Sequence, residues 1–143
     1  MGIPSASPSG RSVVMLGAAL AFLSVVAGAF GAHGAKPLLS SDLFGIYQTA
    51  VQYQFFHSIA LLVVGIMAAL PLRFNYRYLM ISAAGFLVGI LLFSGSLYLY
   101  AFTGVKKLGM ITPFGGLCFL VGWLMLGLSA WSVGGDIERN SKW

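Results

Sequence analysis

The sequence predicts an all-α fold, a four-helix transmembrane bundle whose spans run up, down, up and down. Hydrophobic residues make up 59% of the 143 residues and charged residues only 8%, with a mean hydropathy of +0.92. This composition leaves too little polar surface to cover a water-soluble globule. The apolar residues form four stretches, each long enough as a helix to cross a bilayer. The charged residues fall in the turns between those stretches and near the two chain ends.

Span 1 is predicted at residues 12–35, after a short disordered lead at residues 1–11 that is rich in Ser, Pro and Gly. Span 1 contains no Asp, Glu, Lys or Arg, and as a helix it extends about 36 Å against a hydrocarbon core of about 30 Å. A cleaved signal peptide is the alternative, because Arg11 precedes an apolar run that ends in small residues. The run exceeds the apolar region of about 7–15 residues in such peptides, which favours an uncleaved span.

Three further spans follow, at about residues 44–70, 78–102 and 108–132. Span 2 ends at Pro71 and is longer than a straight crossing needs, so it either tilts or begins in the headgroup zone. The four spans form one membrane domain, and residues 133–143 after it form a short polar tail.

Small residues recur along span 1 at spacings of three and four. At about 100° per residue they form one narrow stripe, along which another helix backbone can approach closely. A pair at GxxxG spacing predicts a second close contact in span 3. The predicted packing residues are Gly17, Ala21, Ser24, Gly28 and Gly31 in span 1, continued by Ala35, and Gly85 and Gly89 in span 3.

The basic residues indicate loops at a membrane surface. The net charge is +5, but the eight Lys and Arg residues occur one or two at a time between apolar stretches, so we expect no nucleic-acid partner. Four spans put both termini on one side, and the positive-inside rule favours cytoplasmic termini in a bacterial inner membrane. The side of the termini carries Arg11, Arg73, Arg77, Arg139 and Lys142, and the other side carries Lys36, Lys106 and Lys107.

Polar side chains within the spans gather towards one membrane surface. Spans 1 and 3 end at this surface and spans 2 and 4 begin there; we call it the polar end, and the opposite surface the terminal end. The halves of the spans near the terminal end are mainly aliphatic. The predicted polar cluster comprises His33, Tyr47, Gln48, Gln52, Tyr53, Gln54, His57, Ser58, Ser94, Ser96, Tyr98, Tyr100 and Thr112.

Gln54 and His57 are expected to face the interior of the bundle. An amide that faces lipid without a partner costs several kcal/mol. The two side chains lie three residues apart on one helix, so they can touch each other and reach a neighbouring span.

The two histidines allow several interpretations. His33 and His57 are candidate axial ligands of a haem, ligands of a metal, or members of a proton relay. The alternative is that His33 lies in the headgroup zone and His57 packs with hydrogen bonds. No third Cys, His or inward carboxylate completes a zinc site, and the lone Cys118 carries no redox or metal signal. We therefore predict no metal, no cofactor and no catalytic residue.

Two other features leave alternatives open. Residues 28–34 are either an unwound segment that exposes carbonyl groups to an ion or a close-packed, frayed helix end. The face rich in Tyr and Gln either binds a quinone, a lipid headgroup or a partner span, or forms hydrogen bonds between the helices of the bundle. No charged residue lies inside a span, and no phosphate-binding loop, nucleophile elbow or metalloprotease helix occurs.

Four motifs, in order along the chain, resemble those of the domain-of-unknown-function family 423, small four-span membrane proteins that include the animal transmembrane protein 256. The resemblance covers about residues 12–132 and implies a four-helix integral membrane protein of bacterial inner membranes, with no established reaction. The motifs are Gly28-Ala-Phe-Gly-Ala-His33-Gly, Tyr47-Gln-Thr-Ala-Val-Gln-Tyr-Gln-Phe-Phe-His57, Phe93-Ser-Gly-Ser-Leu-Tyr98, and Ile111-Thr-Pro-Phe-Gly-Gly116 followed by Gly122-Trp123.

The sequence therefore favours a non-catalytic membrane component that docks a partner membrane protein, its own copies or a lipid at the polar end. Polarity gathers at one surface, and no group there is suited to making or breaking bonds. A small permease or channel is the alternative, although it needs a polar path through both leaflets. A haem-binding or quinone-binding protein is the third interpretation.

Overall fold

The computed structural model describes residues 7–70 and 73–140. Four of its helices are long and apolar enough to cross a membrane. They confirm the predicted all-α, four-helix transmembrane fold. The start of span 1 packs on the end of span 2, since a Cβ atom on Gly10 would lie 2.5 Å from the amide nitrogen of Ala69. The start of span 3 likewise lies beside span 4, because the Asn75 amide donates to the Ser129 carbonyl at 3.1 Å. Neighbouring spans are therefore antiparallel.

Span 1 begins earlier than the sequence predicted. The α-helix runs over Pro8–Phe30 and continues as a π-helix over Gly31–Ala35. The hydroxyl of Ser7 caps it by accepting from the Gly10 amide, and a proline in the first turn suits a helix start. The predicted disordered lead at residues 1–11 therefore includes a helical turn at its end, and residues 1–6 lie outside the described residues.

Span 2 is the α-helix Ser41–Ala69, which starts three residues before the predicted boundary. The hydroxyl of Ser40 accepts from the Leu43 amide and so satisfies one of the free donors at the helix start. At about 1.5 Å per residue this helix extends about 43 Å, which matches a bilayer including its headgroup regions. Span 2 therefore runs from one headgroup region to the other.

Span 3 has three parts: the α-helix Tyr76–Gly89, the π-helix Ile90–Ser94 and the α-helix Gly95–Thr103. Asn75 caps its start, and Gly104 ends it in the left-handed region with a φ of 69°.

Span 4 opens with the 3₁₀-helix Lys106–Met110 and continues as the α-helix Thr112–Asn140. The helix backbone thus continues past residue 132 into the predicted polar tail, and residues 141–143 lie outside the described part of the chain.

The spans pack in the order 1, 2, 3 and 4. Span 1 packs mainly on span 2, span 3 on span 4, and span 2 joins the two pairs through span 3. In the apolar stretch of each helix, 44% of the residues are buried for spans 2 and 3, against 11% for span 1 and 17% for span 4. Spans 2 and 3 are therefore the central pair, and spans 1 and 4 leave most of their surface exposed.

Glycines bring the backbones of each pair close together. A Cβ atom on Gly17 would lie 2.9 Å from the amide nitrogen of Leu62 in span 2. A Cβ atom on Gly85 would lie 2.9 Å from the carbonyl oxygen of Cys118 in span 4. Backbone atoms cannot rotate away as a side chain can, so a side chain at either position separates the helices.

The buried core towards the terminal end is aliphatic and aromatic. It fills the space between spans 2 and 3, and one ring from span 4 closes it. Its buried members are Ala60, Leu61, Val64, Ala68, Leu79, Ala83, Phe86, Ile90 and Phe119.

Replacing Gly85 by Ala should lower the free energy of unfolding by about 1–3 kcal/mol, because the added methyl group meets the backbone of span 4. Gly95→Ala in the same span is the matched control, since no atom lies within 4 Å of the Cβ position there. That change should leave stability unchanged or raise it by about 0.5–1 kcal/mol. Chemical unfolding in detergent micelles, followed by circular dichroism, measures both variants. Equal effects at the two positions would contradict the close contact.

Candidate functional site

Gln54 connects three spans through its side-chain amide. It is only 6% exposed. Its Nε2 donates to the Leu20 carbonyl in span 1 at 3.0 Å, and its Oε1 accepts from the Tyr98 hydroxyl in span 3 at 2.9 Å. Gln54 thus faces the bundle as the sequence predicted, and both ends of the amide are paired inside the protein.

Tyr47 makes a similar connection nearer the polar end. Its hydroxyl donates to the Ala27 carbonyl at 2.6 Å, and its ring meets Tyr98 edge-on at a centroid distance of 5.4 Å. Its ring lies against Gly31, where a Cβ atom would come within 2.8 Å of Cε1. The ring therefore requires a glycine at that position of span 1.

His57 is held in one tautomer by its two partners. Its Nδ1 lies 2.7 Å from the Tyr53 carbonyl, which can only accept, so Nδ1 carries the proton. Its Nε2 lies 3.2 Å from the indole Nε1 of Trp123, which can only donate, so Nε2 is the acceptor. The imidazole is therefore neutral, and both nitrogens are engaged.

An aromatic cluster surrounds this imidazole. Phe119 stacks on it at a centroid distance of 3.5 Å and an interplanar angle of 11°. Phe86 packs against it and meets the Trp123 ring edge-on at 5.0 Å. The contacts of His57 with the rings of Phe119 and Trp123 join span 2 to span 4. Phe86 and Phe119 could not be predicted as partners of the histidine, because in the sequence of a membrane span an isolated phenylalanine resembles any lipid-facing residue.

The structure separates the two histidines. His33 is exposed in the π-helical end of span 1, whereas His57 is 7% exposed within the bundle. From Ser41 to His57 the helix rises about 24 Å of the 43 Å of span 2, so His57 and the neighbouring Ser58 lie about halfway along this helix. No group of three or more His, Cys, Asp or Glu that could hold a metal occurs among residues 7–70 and 73–140.

Other members of the predicted polar cluster bond locally or pack. Ser58 donates its hydroxyl to the Gln54 carbonyl at 2.6 Å. Ser96 donates to the Phe93 carbonyl and lies 3.0 Å from the Thr112 hydroxyl in span 4. Tyr53 stacks on Phe93 at a centroid distance of 4.3 Å, and Tyr100 borders Gly109. The buried hydroxyl of Ser94 has no partner among the described residues.

The predicted packing residues do not all serve one contact. Gly17 meets the backbone of span 2, whereas Gly28 is exposed and has only a Val51 methyl group near its Cβ position, at 3.6 Å. In span 3, Gly89 lies under the ring of Phe119. Ser24 is buried and bonds the Ala21 carbonyl of its own helix at 2.8 Å.

A groove lies between spans 1 and 2 at the polar end. Its volume is about 310 Å³. Gln48 and Gln52 are both exposed there, and the structure gives neither amide a hydrogen-bond partner within the described ranges. The end of span 1 forms the opposite wall. Residues 28–34, for which an unwound segment was one alternative, are helical there. The residues that line the groove are Gly28, Gly31, Ala32, Lys36, Phe44, Tyr47, Gln48, Val51 and Gln52.

Comparison with known proteins identifies the family. The profile of a family described as "Protein of unknown function (DUF423)" matches residues 27–116, more than half of the chain. The chain belongs to the DUF423 family. The matched region of this DUF423 protein contains the groove, Gln54 and His57, and it ends before Trp123.

Curated relatives agree with this assignment. The chain is 40% identical over 124 residues to UPF0382 membrane protein SH2409 of Staphylococcus haemolyticus, covering 85% of this chain and 97% of the relative. It is 39% identical over 119 residues to UPF0382 membrane protein YwdK of Bacillus subtilis, covering 82% and 94%. It is 44% identical over 105 residues to a UPF0382 membrane protein of Haemophilus influenzae, covering 73% and 82%. No solved structure matches significantly. This DUF423 protein is therefore an integral membrane protein.

Replacing Trp123 by Phe should lower the free energy of unfolding by about 0.6–1.7 kcal/mol, because Nε2 of His57 then lacks a donor in a medium without water. Trp131→Phe is the control, since it makes the same chemical change at a ring that is 83% exposed. Circular dichroism during chemical unfolding in micelles measures both. An unchanged stability for Trp123→Phe would contradict the role of the indole as the partner of His57.

Proposed function

We propose that this DUF423 protein is a non-catalytic membrane component that docks a partner through the groove between spans 1 and 2. The occupant is a lipid, a partner membrane protein or a second copy of the chain. One observation carries the proposal: the buried side chains of Gln54 and His57 bond inside the protein, whereas the amides of Gln48 and Gln52 are exposed without a partner among the described residues.

The depth of these two amides favours an occupant. From Ser41, span 2 rises about 10 Å to Gln48 and about 16 Å to Gln52. A headgroup region is about 5–8 Å thick, so both amides lie at or below the edge of the hydrocarbon core. An amide without a partner costs about 2–7 kcal/mol in an apolar medium. A molecule in the groove that offers acceptor oxygens or donor groups removes that cost.

The same contacts favour docking over the alternatives. A permease needs a polar path through both leaflets, and the core towards the terminal end is filled with Leu61, Val64 and Phe86 side chains. A haem or metal needs a free imidazole nitrogen, and both nitrogens of His57 already have partners. With His57 engaged, His33 is the one histidine left, and it supplies a single ligand to a haem or metal.

A photocrosslinking amino acid tests the groove in the full chain. Benzoylphenylalanine at position 32 or 51 should form an adduct of one defined mass in native membranes, because Ala32 and Val51 line the groove and their replacement keeps the amides of Gln48 and Gln52. The controls are positions 56 and 59, where Phe56 and Ile59 are exposed on the same span outside the groove. Mass spectrometry identifies the adducts. The proposal is wrong if all four positions give the same mixture of adducts.

We propose further that the termini lie in the cytoplasm of a bacterial cell and that the groove opens on the other side of the inner membrane. The basic residues number five on the side of the termini and three at the polar end, which supports this orientation by the positive-inside rule. A phosphatase that is active only outside the cytoplasm should stay inactive when it is fused after Trp143. The same phosphatase fused after Gly104 should be active, and the reverse pattern of activities would overturn the orientation.

A further inference from the structure

The groove presents a charged group, two amides and apolar groups along its length. Lys36 lines its outer part, where span 1 ends. Gln48 and then Gln52 follow at increasing depth along span 2, about 6 Å apart. Val51 lies beside Gln52 and Gly28 lies next to Val51, so apolar groups line the groove at the depth of the inner amide. A ligand that fits this lining has a negative charge at the water boundary, hydrogen-bond acceptors below it and an apolar chain beside them.

We propose that the occupant of the groove is an anionic phospholipid, an inference that rests on the docking function proposed above. The headgroup phosphate pairs with the ammonium group of Lys36. The ester carbonyl oxygens accept from the side-chain amides of Gln48 and Gln52, and one acyl chain lies along Gly28 and Val51. The lipid thereby supplies the partners that these amides lack within the protein.

Charge favours this occupant. Lys36 is the one charged residue that lines the groove. The nearest acidic residue in the sequence, Asp42, lies in the first turn of span 2 and does not line it. A basic residue beside the membrane surface attracts anionic lipid.

The test measures lipid binding to the purified full chain in uncharged detergent by native mass spectrometry. Phosphatidylglycerol and phosphatidylcholine with the same acyl chains are the two probes. One phosphatidylglycerol molecule should bind about fivefold more tightly than phosphatidylcholine, the effect of one lysine near the surface. Raising the ionic strength from about 0.05 M to about 0.5 M should reduce the difference. Equal binding of the two lipids to the unaltered chain would overturn the inference.

Single substitutions locate the site. Lys36→Gln should abolish the preference for phosphatidylglycerol. Lys106→Gln should keep it, because Lys106 is exposed at the same end but does not line the groove. Gln48→Leu should weaken binding of both lipids and leave the preference intact, and a preference that depends equally on Lys36 and Lys106 would contradict the groove as the site.

Two further outcomes separate this inference from the proposed function. If photocrosslinks at positions 32 and 51 yield one protein and no lipid, docking stands and the phospholipid assignment is wrong. If they yield no specific adduct, both are wrong. Soluble glycerol phosphate at millimolar concentration should not displace the lipid, because it has no acyl chain. Displacement would show that the groove binds the phosphate group without the acyl chain and would overturn the phospholipid assignment.

Discussion

A polar atom inside a bilayer cannot turn to water when it lacks a partner, and the interior of this DUF423 protein follows from that constraint. Gln54 uses both ends of its amide to join spans 1, 2 and 3. His57 uses both ring nitrogens, one within span 2 and one on span 4. The residues that seemed most suited to chemistry in the sequence therefore hold the bundle together. The hydroxyls of Ser82 and Ser94 are buried without a partner among the described residues. Gln48 and Gln52 also lack a partner there, but their larger amides are exposed at the groove.

The fold could be predicted because it depends on the length of the apolar stretches and on the absence of charged residues within them. Uncharged stretches of sufficient length fix the number of spans, and short turns fix their antiparallel order. The boundaries were less predictable. Ser7 and Ser40 each cap a helix that starts before its most apolar residues, so a boundary drawn from hydropathy falls a few residues late.

The site could be predicted only in part. The rotation of 100° per residue along a helix correctly predicted that Gln54 faces the bundle. It could not predict that Gln48 and Gln52, on the same span, face a groove. Position along the helix also matters: Gln52 and His57, the twelfth and seventeenth residues of span 2, lie about 7.5 Å apart along the helix axis. The π-helix Ile90–Ser94 changes the direction in which the side chains after it point, relative to a continuous α-helix. No motif in the sequence predicts a π-helical turn at this place.

The two glycine-lined pairs have a consequence for how the chain is made. Span 1 closes on span 2 at Gly17, and span 3 closes on span 4 at Gly85, without atoms from the other pair. Each hairpin can thus form as it leaves the insertion machinery, before the next one is synthesised. The union of the hairpins then combines the apolar core between spans 2 and 3 with the directional contacts of Gln54 with Tyr98 and of His57 with Trp123. Close backbone packing thus acts within each hairpin, and the core and its polar contacts act between them.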